Sequence, residues 1–174
     1  MDTISQFLAD DRVRTLAVLF GVFVALISIG TARSLARKKQ AADLIFAVRT
    51  DSKMQEATEC LKLHSNSDNM NIKSLANSRK NTEEAALIRY LANHFETLSV
   101  GIQNGIYDET MLKETWYNIV RNTYKHVRPY IEEVRLRDQK PTYYQEFEQL
   151  AVRWEANPLQ TKKKWRQGFK WLVW

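Results

Sequence analysis

Residues 15–32 decide how this 174-residue chain is organised, and they read TLAVLFGVFVALISIGTA. These 18 residues carry no charge, and a helix of that length rises about 27 Å, close to the thickness of a bilayer's hydrocarbon core. Their apolar side chains are distributed around the whole helix circumference, without the polar stripe of a soluble amphipathic helix. Ser28 and Thr31 can bond back to backbone carbonyls, so they cost little in lipid. The stretch therefore predicts a transmembrane helix.

Two alternatives compete with a permanent membrane anchor. Gly30 and Ala32 would suit the small-residue cleavage site of a signal peptide. However, the segment before the apolar run contains three aspartates where a signal peptide has basic residues, and the run is longer than a typical signal core. The second alternative, a buried core helix of a soluble fold, is disfavoured because the stretch is hydrophobic on every side.

The flanking charges predict the orientation of this helix. The formal net charge of the chain is +6, yet residues 40–157 hold 15 basic and 17 acidic side chains. Two short segments therefore supply the excess, and one of them follows the apolar run immediately. The positive-inside rule places that segment and everything after it in the cytoplasm, and the short N-terminus outside. We expect the membrane-contacting side chains of this first segment to be Arg33, Arg37, Lys38 and Lys39.

The second basic segment is the C-terminal tail, which interleaves cations with aromatic rings. Tryptophan favours the headgroup layer of a membrane, and each cation near an anionic leaflet contributes about 1 kcal/mol. The tail therefore predicts a second contact with the anionic inner leaflet. The same pattern would also suit core closure or, less well, phosphate contacts and base stacking on a nucleic acid. The residues of this expected contact are Lys162, Lys163, Lys164, Trp165, Arg166, Phe169, Lys170, Trp171 and Trp174.

The remaining sequence predicts an all-α body. Residues 33–49 continue the membrane helix without a breaker, and a second helix is expected over 52–63. Residues 65–82, rich in Ser and Asn, indicate a loop, with one helical turn near Ile72 and Leu75. Further helices follow as an antiparallel hairpin joined near Asn104 and Gly105, then as Pro129–Arg137, and finally from Pro141 to Asn157. No segment alternates with period two, so no sheet is expected.

Helix caps and core positions refine this prediction. Asn81, with Glu84 three residues later, resembles the capping arrangement of the first hairpin helix, and Asp108 is suited to cap the second. Apolar residues at spacings of three and four predict the buried face of each helix. These core positions include Leu63, Tyr90, Phe95, Trp116, Ile119, Tyr124, Tyr144, Phe147 and Trp154.

The stretch from Glu83 to Trp154 resembles a bacterial and phage family of uncharacterised, often membrane-anchored helical proteins, defined by a domain of unknown function. The resemblance is carried by YLANHFE at 90–96, VGI at 100–102, GIYDE at 105–109 and YYQEF at 143–147, together with Trp116 and the Arg-Pro pair at 128–129. It implies a helical fold in a membrane context and supplies no activity.

No catalytic signature is present in the sequence. It contains no phosphate-binding loop, no His-Glu-x-x-His and no nucleophile elbow, and the lone Cys60 and three separated histidines suggest no metal or cofactor. Asn93 and Glu96 lie three residues apart on one helical face, with Arg89 or Arg128 as a candidate counter-charge. We interpret this pair as a polar latch between helices in preference to an active-site carboxylate.

These observations predict a short extracytoplasmic N-terminus (1–14), a transmembrane helix (15–32), a basic juxtamembrane helix (33–49), a helical domain (50–157) and a basic Trp-rich tail (158–174). The expected function is that of a membrane-anchored, non-enzymatic interaction or regulatory protein at the cytoplasmic face of the inner membrane, with anionic lipids and an unidentified protein as partners. Two alternatives remain open: a phage or prophage protein of superinfection exclusion or defence, and a membrane-tethered enzyme with an unrecognised site. Homo-oligomerisation also stays open, since the small residues Gly21, Ala25 and Ser28 would allow a second helix to approach.

Overall fold

The computed structural model describes residues 11–66, 72–77 and 82–160. Within these ranges the chain forms six α-helices and no strand, which confirms the all-α prediction. The helices are α1 (Asp11–Thr50), α2 (Ser52–Asn66), α3 (Ile72–Asn77), α4 (Glu83–Gln103), α5 (Glu109–Asp138) and α6 (Gln145–Ala156).

Helix α1 has two halves with different surroundings. Its 40 residues extend about 60 Å without a break. No part of its most apolar 18-residue window is buried, and Leu16 and Phe20 are 66% and 68% exposed. Further along the same helix, Ala41 and Ile45 lie in the hydrophobic core. The apolar half therefore lies outside the core of the bundle, and the predicted continuation of this helix into the body is confirmed.

The other helices pack side by side around α4. Helix α2 runs antiparallel to α4, because Asp51 beside its start bonds to Tyr90 and His64 near its end lies by Glu84. Helix α3 packs on α5. Helix α6 packs against both α4 and α5. The body is thus a small bundle in which the turn between α4 and α5 marks one end.

Aromatic and aliphatic side chains from α4, α5 and α6 form the centre of the core. Phe147 and Trp154 of α6 are almost completely buried. The ring of Phe147 stacks on Phe95 with centroids 5.1 Å apart and meets the edge of Tyr124 at 5.3 Å. The sequence pattern of aromatic residues at helical spacing is therefore confirmed as core packing, with Tyr124 at its partly buried rim.

The turn between α4 and α5 has the geometry that its sequence predicts. The amide of Gly105 donates to Ile102 O and the amide of Ile106 donates to Gly101 O, a pair of bonds that defines a Schellman C-cap. Gly105 adopts the left-handed conformation that this cap requires, with φ of 66°. Asp108 then caps α5 by accepting a hydrogen bond from the amide of Met111.

The predicted helix break at Pro129 is wrong, because Pro129 lies inside the continuous helix α5. A proline there removes one donor, so the carbonyl of Lys125 loses its helical partner. Lys125 is exposed, and water can satisfy that carbonyl. Val127 and Ile131, fully buried on either side of Pro129, hold the two parts of the helix on one core. Packing therefore outweighs the local preference to break.

Several element ends and inward positions also differ from the sequence prediction. The cap of α4 is Thr82, whose hydroxyl accepts from the amide of Ala85, and the predicted Asn81 lies outside the described residues. Helix α2 continues to Asn66, and α6 begins only at Gln145 because Tyr144 adopts a left-handed conformation. Two predicted core residues face outward, since the adjacent core positions are already occupied: Leu63 is 65% and Ile119 is 50% exposed.

Candidate functional site

The first candidate site is the junction between α1 and the turn that ends α4. The carbonyl of Arg37 accepts a hydrogen bond of 3.3 Å from the amide of Asp108. The guanidinium of Arg37 covers Gly105 so closely that a β-carbon there would lie 3.0 Å from Nη2. Helix α1 is therefore fixed against this end of the bundle five residues after its apolar run ends at Ala32.

The predicted basic contact residues of α1 all lie at this junction. Arg33, Arg37, Lys38 and Lys39 are exposed, as is the apolar Leu35 between them. The four cations occupy two turns of one helix. They surround the helix axis at the level where the apolar run meets the bundle.

The end of helix α6 returns to the same end of the bundle. The carboxylate of Glu109, in the first turn of α5, accepts hydrogen bonds from Trp154 Nε1 and from the guanidinium of Arg153, both 2.8 Å long. One turn further on, Lys113 Nζ donates to the carbonyl of Asn157 at 2.6 Å. Asn157, three residues before the described part of the chain ends, therefore lies at the first turns of α5, the helix that Asp108 caps. The nine predicted contact residues of the tail, from Lys162 to Trp174, lie outside the described residues.

Glu96, one of the two residues of the predicted polar latch, contacts a helix end. The carboxylate of half-buried Glu96 accepts hydrogen bonds from the amides of Phe147 (2.7 Å) and Glu146 (3.3 Å). These amides belong to the first turn of α6, where Tyr144 at the cap position provides no side-chain bond. A negative charge at a helix N-terminus also interacts favourably with the helix dipole. Glu96 therefore replaces the missing N-cap of α6 from another helix.

Asn93, the other residue of the predicted latch, is exposed. It lies instead, with Glu96, in the wall of a cleft of about 580 Å³ between α4, the end of α5 and the loop before α6. Arg137 in this cleft is occupied by Asp138 and by the carbonyl of Ala76. Burial raises the pKa of Tyr144, another wall residue, to about 12, so its hydroxyl stays protonated.

The sequence reasoning missed one polar cluster, which joins α1, α2 and α4. Asp51 caps α2 by accepting from the amide of Met54, and its other oxygen accepts a 2.5 Å hydrogen bond from the hydroxyl of Tyr90. This bond to Tyr90 is the main reason that the pKa of Asp51 is lowered. Lys53 Nζ lies 4.9 Å from the centroid of the Tyr90 ring. An aspartate directly before a helical stretch is the signal that would have identified this cap.

The candidates for acid–base or nucleophilic chemistry occupy structural positions. Burial lowers the pKa of His94, which contacts the rings of Phe95 and Trp116, so the imidazole is neutral near pH 7. Burial raises the pKa of the Cys60 thiol, which disfavours the reactive thiolate. Within the described ranges, no group of three or more His, Cys, Asp or Glu side chains is arranged to hold a metal ion.

The geometry defines a class of protein: a small helical bundle that shares α1 with a stretch long and apolar enough to cross a membrane. Residues 15–154 match the domain of unknown function DUF4760, and the chain belongs to that family. The matched region begins at the first residue of the apolar run and ends at Trp154 in α6, so it includes both the apolar half of α1 and the bundle. Comparison with the curated proteins found no match, and comparison with the solved structures found none either.

Proposed function

We propose that this chain is a single-pass inner-membrane protein whose helical bundle acts at the cytoplasmic face as a non-enzymatic interaction or regulatory module. The observation that carries the proposal is that α1 has two different halves. The apolar half is exposed along its length, whereas the other half places Ala41 and Ile45 in the core of the bundle. In water, the exposed apolar side chains of this uncharged 18-residue stretch would be strongly unfavourable. A bilayer removes that cost while the bundle remains in the aqueous phase.

The family match supports a permanent anchor over a removed signal peptide. It begins at Thr15, so the apolar run lies within the same family match as the bundle. The helix also continues through Ala32 without the extended segment that a cleavage site would offer. The four basic residues that follow support the cytoplasmic placement of the bundle by the positive-inside rule.

The position of Asn157 supports the proposed contact between the tail and the inner leaflet. Lys113 and Glu109 hold the end of α6 at the first turns of α5, at the same end of the bundle that α1 contacts through Arg37. The tail would therefore start within a short distance of the leaflet. Because the membrane helix would tether the chain, the effective concentration of the tail near the leaflet would be high. Five cations that each contribute about 1 kcal/mol would then suffice for the tail to bind an anionic leaflet.

The role of Glu96 favours a binding module over the alternative of a tethered enzyme. Both of its oxygens accept backbone amide hydrogens, which leaves this carboxylate a structural cap. The partner of the module is proposed to be a protein, reached at the bundle surface away from the membrane. A role in phage exclusion or defence is a narrower form of the same proposal.

Topology mapping tests the anchor and its orientation. Single cysteines are introduced at Ser5 and Ser52 in a chain carrying Cys60→Ser, and labelled in intact cells with a membrane-impermeant maleimide. We expect labelling at residue 5 alone, and retention of the chain in membranes after alkaline extraction. Release by alkali, or labelling at residue 52 in intact cells, would contradict the proposal.

Two matched tail variants test the leaflet contact. One replaces Lys162, Lys163 and Lys164 with Gln, and the other replaces Trp165, Trp171 and Trp174 with Ser. Both are expected to weaken binding of the tail to vesicles containing an anionic lipid, and only the first should reduce its salt dependence. Tighter binding to a single-stranded oligonucleotide than to these vesicles would favour the nucleic-acid alternative instead.

A further inference from the structure

The turn between α4 and α5 carries an exposed isoleucine in an uncharged stretch of the chain. Residues 97–107 read TLSVGIQNGIY and contain no charged side chain, although 26% of the residues of the chain are charged. Ile106, within this turn, is 46% exposed. A single exposed aliphatic side chain is ordinary at a protein surface, so its place in the fold must decide what it does.

The exposure of Ile106 follows from the geometry of the cap. In a Schellman cap, the residue that follows the left-handed glycine usually packs its apolar side chain against the residue third from the helix end. Here that residue is Gly101, which has no side chain, and the ring of Tyr107 fills the space where its β-carbon would lie. Tyr107 therefore makes the contact that Ile106 would ordinarily make, and the side chain of Ile106 remains outside the core.

Contacts with Arg37 hold this turn at the level of lipid headgroups if the apolar run crosses the bilayer. Arg37 lies about 7.5 Å beyond Ala32 along the helix axis, and the headgroup layer on each side of the hydrocarbon core is about 5–8 Å thick. Helical side chains lean toward the helix N-terminus, here the membrane side, and the guanidinium of Arg37 covers Gly105. Helical carbonyls point the opposite way, and the carbonyl of Arg37 accepts the amide of Asp108. Gly105 and the adjacent Ile106 are therefore nearer the apolar run than Asp108.

The side chains around the turn have the composition of a membrane-interface surface. Leu35, about 4.5 Å beyond the apolar run, is 70% exposed, and the cations Lys38 and Lys39 follow it. Interfacial segments combine apolar side chains that enter the headgroup boundary with cations that interact with lipid phosphates. The first carboxylates after the turn are engaged within the bundle, because Asp108 caps α5 and Glu109 accepts hydrogen bonds from the end of α6.

We propose that the turn between α4 and α5 lies in the headgroup layer of the membrane that α1 crosses, with the side chain of Ile106 inserted among the lipids. The partner of this surface is thus a phospholipid bilayer. The inference rests on the proposed membrane crossing of α1, and it adds a contact that the bundle itself makes with the leaflet. Two fixed points, α1 and the turn, would set the orientation of the bundle, so that its opposite end faces the cytoplasm.

Collision measurements on the spin-labelled full chain in liposomes test the proposal. A nitroxide is attached to a single cysteine, Ile106→Cys or Leu136→Cys, in a chain carrying Cys60→Ser. Oxygen, which concentrates in lipid, and a nickel chelate, which stays in water, are present on both sides of the membrane. We expect a higher ratio of oxygen to nickel-chelate collisions at residue 106 than at residue 136, because Leu136 is 74% exposed near the opposite end of α5. Equal ratios would overturn the proposal, and rare collisions with both reagents at residue 106 would overturn it by placing a protein surface over the turn.

A label beside the native isoleucine tests the insertion of Ile106 itself. The nitroxide is attached at Gln103→Cys, an exposed position of the same turn. Ile106→Ser is expected to lower the collision ratio there about fivefold, since burial of about half an isoleucine side chain changes an equilibrium by about that factor. Ile106→Leu should keep the ratio, and the matched control Leu136→Ser should leave it unchanged. Equal reductions for Ile106→Ser and Leu136→Ser would refute the insertion.

Alkaline extraction tests the membrane crossing independently of the turn. A chain that resists extraction but shows equal collision ratios at residues 106 and 136 refutes the turn contact alone. A chain that alkali releases refutes the proposed anchor itself.

Discussion

Replacing Glu96 should detach the start of α6 from the bundle. In the structure its carboxylate accepts two amide hydrogens from the first turn of α6, at 2.7 and 3.3 Å. Glu96→Ala leaves both amides without an acceptor in a half-buried location beside the fully buried Phe147. Glu96→Gln keeps one oxygen acceptor in place but removes the negative charge at the helix N-terminus.

The expected magnitude follows from these two bonds. Loss of an ordinary N-cap costs about 1 kcal/mol, and hydrogen bonds to charged groups are worth about 1.5–3 kcal/mol each. The bond at 3.3 Å is long and contributes less than the one at 2.7 Å. We therefore expect the free energy of unfolding to fall by about 2 kcal/mol for Glu96→Ala and by about 1 kcal/mol for Glu96→Gln.

Two measurements on the full chain in detergent check this expectation. Urea unfolding, followed by tryptophan fluorescence, should show a midpoint about 1 M lower for Glu96→Ala. Hydrogen exchange reports the local effect, and the amide of Phe147 should exchange about 30-fold faster, because 1.4 kcal/mol corresponds to a factor of ten.

The control is Glu59→Ala, which removes the same charge from an exposed position of α2. It should change stability by less than about 0.5 kcal/mol. If Glu96→Ala behaves like Glu59→Ala in both measurements, Glu96 is not the cap of α6. A uniform acceleration of exchange throughout the bundle, without a specific effect at Phe147, would also refute the local explanation.

Three further predictions concern backbone strain and protonation. Gly101→Ala should lower the free energy of unfolding by about 1–3 kcal/mol, because its β-carbon would lie 2.3 Å from the Tyr107 ring. In a Tyr107→Ala background the same substitution should raise it by about 0.5–1 kcal/mol, because alanine has the higher helix propensity. Equal effects in both backgrounds would exclude the clash. Gln139→Gly should raise the free energy of unfolding by about 0.5–1 kcal/mol, since Gln139 holds a left-handed conformation at the end of α5 (φ of 53°), and a lower urea midpoint would contradict this. Burial lowers the pKa of His94 in the folded chain, so the stability that the neutral imidazole contributes is present above the unfolded-state pKa near 6.5 and is lost as pH falls below that pKa. The free energy of unfolding of His94→Gln, measured with urea from pH 7.5 to 5, should therefore decline less than that of the native chain.

Local signals sufficed for the parts of the fold that depend on short-range chemistry. The apolar run, the spacing of Phe95 with its neighbours and the Asn-Gly pair at the end of α4 each correspond to an observed element. Pro129 shows where local chemistry fails, because a buried face on both sides of it keeps the helix intact. Sequence preference describes the isolated segment, whereas packing acts on the assembled bundle.

The candidate sites were less accessible to sequence reasoning because their partners are distant in the chain. Glu96 was predicted to form a latch, but its partners are backbone amides 50 and 51 residues away, which leave no signature of their own. The junction between α1 and the turn that ends α4 depends on how α1 is oriented on the bundle. That orientation involves the hydrogen bond to the carbonyl of Arg37 and the close approach of the Arg37 guanidinium to Gly105, and neither is a property of one helix alone.

The unbroken course of α1 has a mechanical consequence for a chain that crosses a membrane. Residues 33–50 extend about 27 Å beyond the apolar run as one continuous helical segment, and this segment packs on the bundle. A membrane-spanning helix adjusts its tilt when the bilayer becomes thinner or thicker. If the tilt of α1 changed by about 10°, the end of this helical segment at residue 50 would move by about 5 Å. Changes in bilayer thickness would thereby be converted into displacement of the whole bundle relative to the membrane surface.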